Sequence, residues 1–246
     1  MVAFSGGKDS AFLLLLAQET LGKENVKAVN VASCFTSSND RVRLDFFISK
    51  LNVEVEELNV DLTHDHEVMS NQKYRCYHCK KKIFSLLKKT ALAKGIDAIV
   101  DGTTYSDLDQ FRPGMKALEE LGIISPLLEA GITSAEIVKY LSDTMSLDPF
   151  YVTSSACLAT RFPYDFPLDA NIQLIELFDR IESYLLGVGI FPVKVRYIQD
   201  GIRIETPQEM FPRILNSRDI VIKMCHEKGL KFITLDIEGI KTGVWD

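Results

Sequence analysis

The stretch Ser5-Gly6-Gly7-Lys8-Asp9-Ser10 lies between a short apolar run, residues 2–4, and a leucine-rich run, residues 11–21. The first run predicts a buried strand, and the second predicts a helix. Two glycines allow a tight turn that points successive N–H groups inward, and the N-terminus of the following helix carries about half a positive charge. We therefore expect this loop to bind phosphate. Its spacing is neither G-x-G-x-x-G nor G-x-x-x-x-G-K-[ST], which disfavours a dinucleotide fold and a Walker-type NTPase. An ordinary turn that caps a helix is the alternative.

Strands and helices alternate through the first 150 residues. Further strands are predicted at 26–31, 53–60 and 98–100, helices at 41–51 and 80–94, and a last helix begins at the capping-box pattern Thr133-Ser134-Ala135-Glu136. This alternation predicts an α/β fold whose parallel sheet is covered on both faces.

The pattern changes after Pro163. A helix that Asp169 could cap is predicted at 169–186, followed by strands at 193–197 and 202–205, a helix at 208–228 and a strand at 232–237. This order predicts a smaller C-terminal α+β lobe. We expect one domain over residues 1–160 and a second over residues 161–246.

Composition narrows the class of protein. The chain has 246 residues, of which 46% are hydrophobic and 25% are charged, and this excludes a disordered or collagen-like chain. A net charge of −6 argues against broad attraction to nucleic acid or to an anionic membrane. Because no apolar run approaches the roughly 20 residues that span a bilayer, and the first residues lack a signal-peptide pattern, we expect a cytoplasmic protein without a membrane partner.

A second polar turn, Asp101-Gly102-Thr103, directly follows the strand predicted at 98–100. Ligands of open parallel sheets sit at the carboxyl ends of the strands, so this turn is expected to face the same crevice as the phosphate loop. A turn that only ends the strand is the alternative.

The phosphate loop resembles that of the adenine nucleotide alpha-hydrolase superfamily, whose members split ATP between the α- and β-phosphates. The segments Phe111-Arg112-Pro113-Gly114, Ser125-Pro126-Leu127-Leu128 and Ser154-Ser155-Ala156-Cys157-Leu158-Ala159-Thr160-Arg161-Phe162-Pro163-Tyr164 are similar to one subfamily, the LarE-type ATP-dependent sulfur transferases. These enzymes supply sulfur to the pyridinium mononucleotide that becomes the nickel-pincer cofactor of lactate racemase. The resemblance implies a Rossmann-like sheet, ATP with Mg²⁺, adenylation of a carboxylate, a sulfide or other sulfur donor, and a homo-oligomer in which the C-terminal lobe serves substrate binding and assembly.

The resemblance also implies roles for individual residues. Cys157 handles the sulfur, Arg161 acts with it, and Thr160 and Arg161 contact phosphate. ATP is bound by the residues of the two turns: Ser5, Gly6, Gly7, Asp9, Ser10, Gly102 and Thr103. The substrate site of the second lobe is lined by Glu182, Arg196 and Glu205. The chain departs from the subfamily at Lys194, where arginine is usual, and at Arg213, where an acidic residue can occur.

Five cysteines are present, and two of them form Cys76-Tyr77-His78-Cys79. Residues 75–89 carry six basic side chains and no acidic one, so both thiols are expected in a positive field. Two thiolates leave a metal site incomplete, because zinc and cubane clusters take four ligands. The resemblance implies that Cys157 is the third ligand of a [4Fe-4S] cluster whose open iron carries sulfide. Half a zinc site, a redox dithiol and two unrelated thiols are the alternatives. Cys34 and Cys225 are expected to be packing residues.

Two other functions compete with sulfur transfer to a small molecule. A tRNA-thiolating enzyme of the same superfamily would also combine the phosphate loop with three cysteines; the net charge of −6 argues against it, and the basic run at 75–89 keeps it open. A non-catalytic iron–sulfur or zinc protein would keep the fold but release no pyrophosphate from ATP.

Overall fold

The computed structural model describes residues 1–153 and 156–240, so Ser154 and Ser155 of the cysteine segment lie outside the described residues. The chain forms two compact units. The first comprises Met1–Cys34, Asp40–Val68 and Lys73–Ser155, and the second comprises Phe35–Asn39, Met69–Gln72 and Ala156–Asp246. The domain boundary after residue 160 stays a prediction. Among the described residues, no helix has the length and apolar character needed to cross a membrane.

The first unit contains a parallel sheet. Its strands, in the order β1-β2-β3, are β1 (Val2–Ala3), β2 (Ala28–Ala32) and β3 (Val55–Asn59). Beyond β1, parallel bridges join Val2 to Val100 and Val100 to Ile124. The predicted α/β fold with a parallel sheet is confirmed. The strand predicted at 98–100 is reduced to these bridges at Val100, because the chain turns at Asp101-Gly102 immediately afterwards.

Helices cover this sheet. Up to residue 152 they are α1 (Lys8–Leu21), α2 (Ser38–Leu51), α3 (His66–Met69), α4 (Arg75–Ala93), α5 (Gly114–Glu120), α6 (Pro126–Glu129), α7 (Ser134–Met145) and α8 (Pro149–Val152). α1 begins three residues earlier than predicted, since Lys8 to Ser10 form its first turn. α4 begins five residues earlier, so that Cys76 and Cys79 lie inside the helix. The predicted capping box of Thr133 and Glu136 is confirmed at α7.

Two apolar clusters show that the sheet is buried on both faces. Ala28 belongs to a cluster with Leu14 of α1 and Phe47 of α2. Its neighbour Val29 belongs to another cluster, which includes Leu87 of α4. Because adjacent side chains of a strand point to opposite faces, the two clusters cover opposite sides of β2.

The second unit contains α9 (Ile172–Gly187), β4 (Lys194–Ile198), β5 (Gly201–Glu205), α10 (Phe211–Asn216), α11 (Arg218–His226) and β6 (Phe232–Leu235). β4 pairs antiparallel with β5, and β5 pairs parallel with β6. A small α+β arrangement is therefore present, as predicted.

Two predicted helices of this unit differ in the structure. The helix predicted at 208–228 is a 3-10 turn followed by α10 and α11, which are separated at Asn216-Ser217, two residues with low helix propensity. α9 begins at Ile172 rather than after Asp169, because the Asp169 carboxylate accepts the N–H of Ala170 and starts a 3-10 turn.

Candidate functional site

The predicted phosphate loop closes on itself at the carboxyl end of β1. The Ser5 hydroxyl lies 3.1 Å from the Ser10 hydroxyl, and the Ser10 hydroxyl donates to the Gly7 carbonyl at 2.9 Å. Gly6 has a φ of 81°, and a Cβ there would lie 2.7 Å from the Leu44 Cα, so this position requires glycine. The loop therefore follows the α2 backbone closely and leads into the first turn of α1.

The Asp101-Gly102-Thr103 turn packs directly on this loop. A Cβ on Gly102 would lie 2.8 Å from the backbone nitrogen of Ser10 and 3.1 Å from the carbonyl carbon of Asp9. The structure thus brings the predicted nucleotide-binding residues of the two turns together.

Asp101 belongs to this site, although the sequence pattern predicted no role for its side chain. Its side chain is buried and accepts the hydroxyls of Thr103 at 2.5 Å and Ser125 at 2.6 Å. Ser125 follows Ile124, whose bridge to Val100 extends the sheet. Asp101 therefore links the segment that follows Val100 to the segment that follows Ile124 through hydrogen bonds. Its position after a predicted strand was the signal that could have identified it.

Asp9 is the carboxylate of the loop. It forms an ion pair with the buried Lys8 at 2.9 Å, and the Ser134 hydroxyl lies 3.5 Å away. Burial raises the pKa of Asp9, the adjacent Lys8 opposes this shift, and the charge of Asp107 adds to it. A cation at this position would offset the repulsion between the two carboxylates.

Cys76 and Cys79 lie three residues apart at the start of α4 and so share one face of the helix. The Arg75 guanidinium is 3.6 Å from the Cys76 sulfur. Lys80, next to Cys79, has its ammonium 3.9 Å from the Asp101 carboxylate. The C-x-x-C end of α4 therefore lies beside the turn that packs on the phosphate loop.

The positive field expected along residues 75–89 is reduced, because three of its six basic side chains pair with carboxylates. Besides Lys80, Lys81 pairs with Glu120 at 2.9 Å, and Lys82 pairs with Asp65 at 2.7 Å. Glu120 and Asp65 come from other segments, so the sequence run alone could not show them. Hydrogen bonds from Lys81 to Tyr77 and Glu120 raise the pKa of this lysine.

Within residues 1–153 and 156–240, no group of three or more His, Cys, Asp or Glu side chains is arranged to hold a metal ion. Cys76 and Cys79 supply two of the four ligands that a cubane cluster or zinc takes. The first unit alone therefore does not fit a complete cluster site.

Cys157 is exposed and stands at the start of a 3-10 turn, Leu158–Arg161, in the second unit. The Thr160 hydroxyl donates to the Cys157 carbonyl at 2.8 Å, and the Thr160 N–H donates to the same oxygen at 3.0 Å. The backbone of the cysteine is thus fixed while its side chain faces solvent.

Arg161 is held by Glu182 of α9. Nε and Nη2 of the arginine donate to the two carboxylate oxygens at 2.6 and 3.0 Å, and both side chains are 4% exposed. Nη1 donates to the Thr160 hydroxyl at 3.0 Å. This planar fork orients the turn that carries Cys157.

Arg196 of β4 forms a second buried pair. Its Nε donates to Glu205 at 3.0 Å, and its Nη1 donates to the Thr160 carbonyl at 2.9 Å. The structure therefore joins Thr160, Arg161, Glu182, Arg196 and Glu205 into one buried network. The residues of this network contact one another. Contact of any of them with substrate stays a prediction.

We expect Arg196→Met to lower the free energy of unfolding by about 2–3 kcal/mol, because the Thr160 carbonyl and one oxygen of Glu205 lose this donor while Arg203 still pairs with Glu205. Urea denaturation measures the change. Arg218→Met is the matched control, since among the described residues Arg218 has an ion pair only with its exposed neighbour Asp219 and its loss should leave the midpoint unchanged. Equal midpoints for both variants would contradict the assignment of a buried pair.

The chain is similar to known proteins over its first part and over nearly its whole length. A family model described as NAD synthase matches residues 1–92. The pyridinium-3,5-bisthiocarboxylic acid mononucleotide synthase of Lactiplantibacillus plantarum is 31% identical over 244 residues, which cover 98% of this chain and 87% of that protein.

A further relative and a solved structure are also similar to this chain. An uncharacterized protein of Synechocystis is 29% identical, over 99% of this chain and 90% of its own length. Among solved structures, a glutamine-dependent NAD+ synthetase from Acinetobacter baumannii in complex with ADP is 15% identical, with a TM-score of 0.43 over 61% of this chain and 30% of that chain. The match to the synthase thus extends through both units, whereas the family model covers only the part with the phosphate loop.

Proposed function

Because the chain belongs to the family of the pyridinium-3,5-bisthiocarboxylic acid mononucleotide synthase, we propose that it is an ATP-dependent sulfur transferase acting on a pyridinium dicarboxylate mononucleotide in nickel-pincer cofactor synthesis. The observation that carries this proposal is the exposed Cys157, held on a fixed turn in a chain that also forms a phosphate loop. An exposed thiol can act as a nucleophile. Members of the superfamily that form amides do not need a nucleophilic thiol.

The first unit would perform the adenylation. A substrate carboxylate oxygen attacks the α-phosphorus of ATP, an O–P bond forms, and the bond to the β-phosphate breaks. The N–H groups of the loop and the start of α1 would bind the departing pyrophosphate. Asp9 would hold the Mg²⁺ that accompanies ATP, and this ion would offset the charge on the phosphates. The pKa of Asp9 is raised by burial, and binding of a cation favours its charged form.

Sulfur transfer would follow at the acyl carbon. The Cys157 thiolate attacks, a C–S bond forms, and the bond to AMP breaks, which gives a thioester. Removal of the Cα proton of Cys157 then breaks its Cβ–S bond, leaving a thiocarboxylate on the product and dehydroalanine on the chain. In this route Arg161 and Thr160 keep the cysteine turn in place, and each chain reacts once.

A catalytic route needs an external source of sulfur. In the proposed [4Fe-4S] form, Cys76, Cys79 and Cys157 would hold the cluster, which would supply exogenous sulfide. The paired thiols on one face of α4 would supply two of its ligands. Mass spectrometry after turnover separates the two routes: loss of the elements of H₂S at Cys157 identifies the sacrificial route.

We expect protein reconstituted anaerobically to bind about four iron and four sulfide per chain, and each of Cys76→Ala, Cys79→Ala and Cys157→Ala to lose this cluster. Iron and acid-labile sulfide are measured together with the visible absorbance. Cys225→Ala is the control, because Cys225 is buried and packs in α11. Tight binding of zinc without iron by the unaltered protein would contradict the cluster.

The tRNA-thiolating alternative gains less support from the structure. It depends on the basic run at 75–89, and three of its lysines are in ion pairs with acidic residues. Filter binding with bulk tRNA tests it directly. Assembly into a homo-oligomer, the identity of the sulfur donor and a cytoplasmic location stay predictions.

A further inference from the structure

Two arginines face each other across the small sheet. The antiparallel register of β4 and β5 places Arg196 opposite Arg203. Like charges in directly opposed positions destabilise a sheet unless an anion lies between them. Glu205 supplies that anion: one carboxylate oxygen accepts Arg196 at 3.0 Å, and the other accepts Nε and Nη2 of Arg203 at 3.1 and 2.7 Å.

Arg203 differs from the other arginines of the network in two respects. Its side chain is 29% exposed, whereas that of Arg161 is 4% exposed and that of Arg196 is fully buried. It also reaches Asp236, just after β6, at 3.5 Å. Arg203 therefore spans from the surface to Glu205 and fixes this carboxylate from the side opposite Arg196.

The contacts continue from Glu205 to the reactive cysteine. Glu205 orients the guanidinium of Arg196, whose Nη1 holds the Thr160 carbonyl at 2.9 Å. Thr160 in turn binds the Cys157 carbonyl through both its hydroxyl and its N–H. Each hydrogen bond in this series fixes the orientation of the next group. A change at Arg203 therefore alters how firmly the Cys157 turn is held.

We infer that Arg203 is a positioning residue for Cys157: through Glu205 and Arg196 it fixes the turn that presents the sulfur. This inference rests on the proposed function for its effect on catalysis. Arg203 need not contact the substrate. It is expected to affect the orientation of the Cys157 thiol and not the affinity for substrate.

The test compares Arg203→Met with Arg203→Lys, and uses Arg218→Met as the matched control. For Arg203→Met we expect the first-turnover rate at saturating substrate to fall about tenfold, with the half-saturating substrate concentration changed less than about twofold. Arg203→Lys should recover only part of the rate, since one ammonium cannot bridge Glu205 and Asp236 as a guanidinium does. The double variant Arg203→Met/Glu205→Gln should be no slower than Glu205→Gln alone, because both changes break the same chain of contacts.

Hydrogen exchange provides a readout that needs no substrate. The Thr160 N–H, which bonds to Cys157, should exchange about tenfold faster in Arg203→Met, while the amides of α9 keep their rates. If the exchange changes but the unaltered protein transfers no sulfur, the proposed function fails and the positioning inference stands. Unchanged exchange at Thr160, or a rise in the half-saturating substrate concentration with the first-turnover rate preserved, overturns the inference.

Discussion

Cys157→Ala should lose sulfur transfer by about a thousandfold or more while the variant still binds ATP. The physical reason is that both sulfur routes need this side chain: it is the nucleophile in one and a cluster ligand in the other. The thiol is exposed, so its removal leaves no buried cavity. The assay measures thiocarboxylate formed from pyridinium dicarboxylate mononucleotide, ATP and a sulfide source, with nucleotide binding measured separately.

Cys225→Ala is the matched control for this experiment. Cys225 is fully buried on α11, and burial raises the pKa of its thiol to about 11, so it remains protonated and unreactive at neutral pH. We expect its replacement to leave the amount of product unchanged. If Cys157→Ala keeps the activity of the unaltered protein, sulfur transfer through this residue is wrong, whichever source supplies the sulfur.

Gly102→Ala should slow the release of pyrophosphate from ATP by about a hundredfold. The added Cβ would lie 2.8 Å from the Ser10 nitrogen and 3.0 Å from the Ser10 Cα. These are backbone atoms in the first turn of α1, so they cannot move aside as the end of a flexible side chain can. The displaced turn would no longer direct its N–H groups at the phosphates. Pyrophosphate release is measured in the presence of substrate, and ATP binding by calorimetry.

Gly187→Ala provides the steric control. Gly187 ends α9, and a Cβ there would meet nothing within 4 Å, so we expect normal ATP cleavage. Gly102→Ala with unchanged ATP affinity and rate would show that the Asp101 turn does not support the phosphate loop. Asp9→Asn then serves to separate loss of cleavage from loss of fold, because it keeps the size of the side chain.

The sequence predicted the features that depend on local chemistry. Glycines at 6 and 7 indicated a loop after β1, apolar periodicity indicated the alternating strands and helices, and the Thr133 capping box marked the start of α7. Local rules worked less well where propensity is weak or the element is very short. The helix predicted at 208–228 is divided at Asn216-Ser217, and the strand predicted at 98–100 is held only by bridges at Val100.

Tertiary structure alone decided which charges neutralise one another. Lys81 and Glu120 are 39 residues apart, and Arg161 and Glu182 are 21 residues apart, so no sequence window joins either pair. The run at 75–89 therefore predicted a positive field that the folded chain offsets with Asp65, Asp101 and Glu120. The sequence by itself predicted a phosphate loop and a reactive cysteine, because turn geometry and residue chemistry act locally. The role of Arg203 followed only from the pairing of β4 with β5, because strand register sets which side chains share one carboxylate.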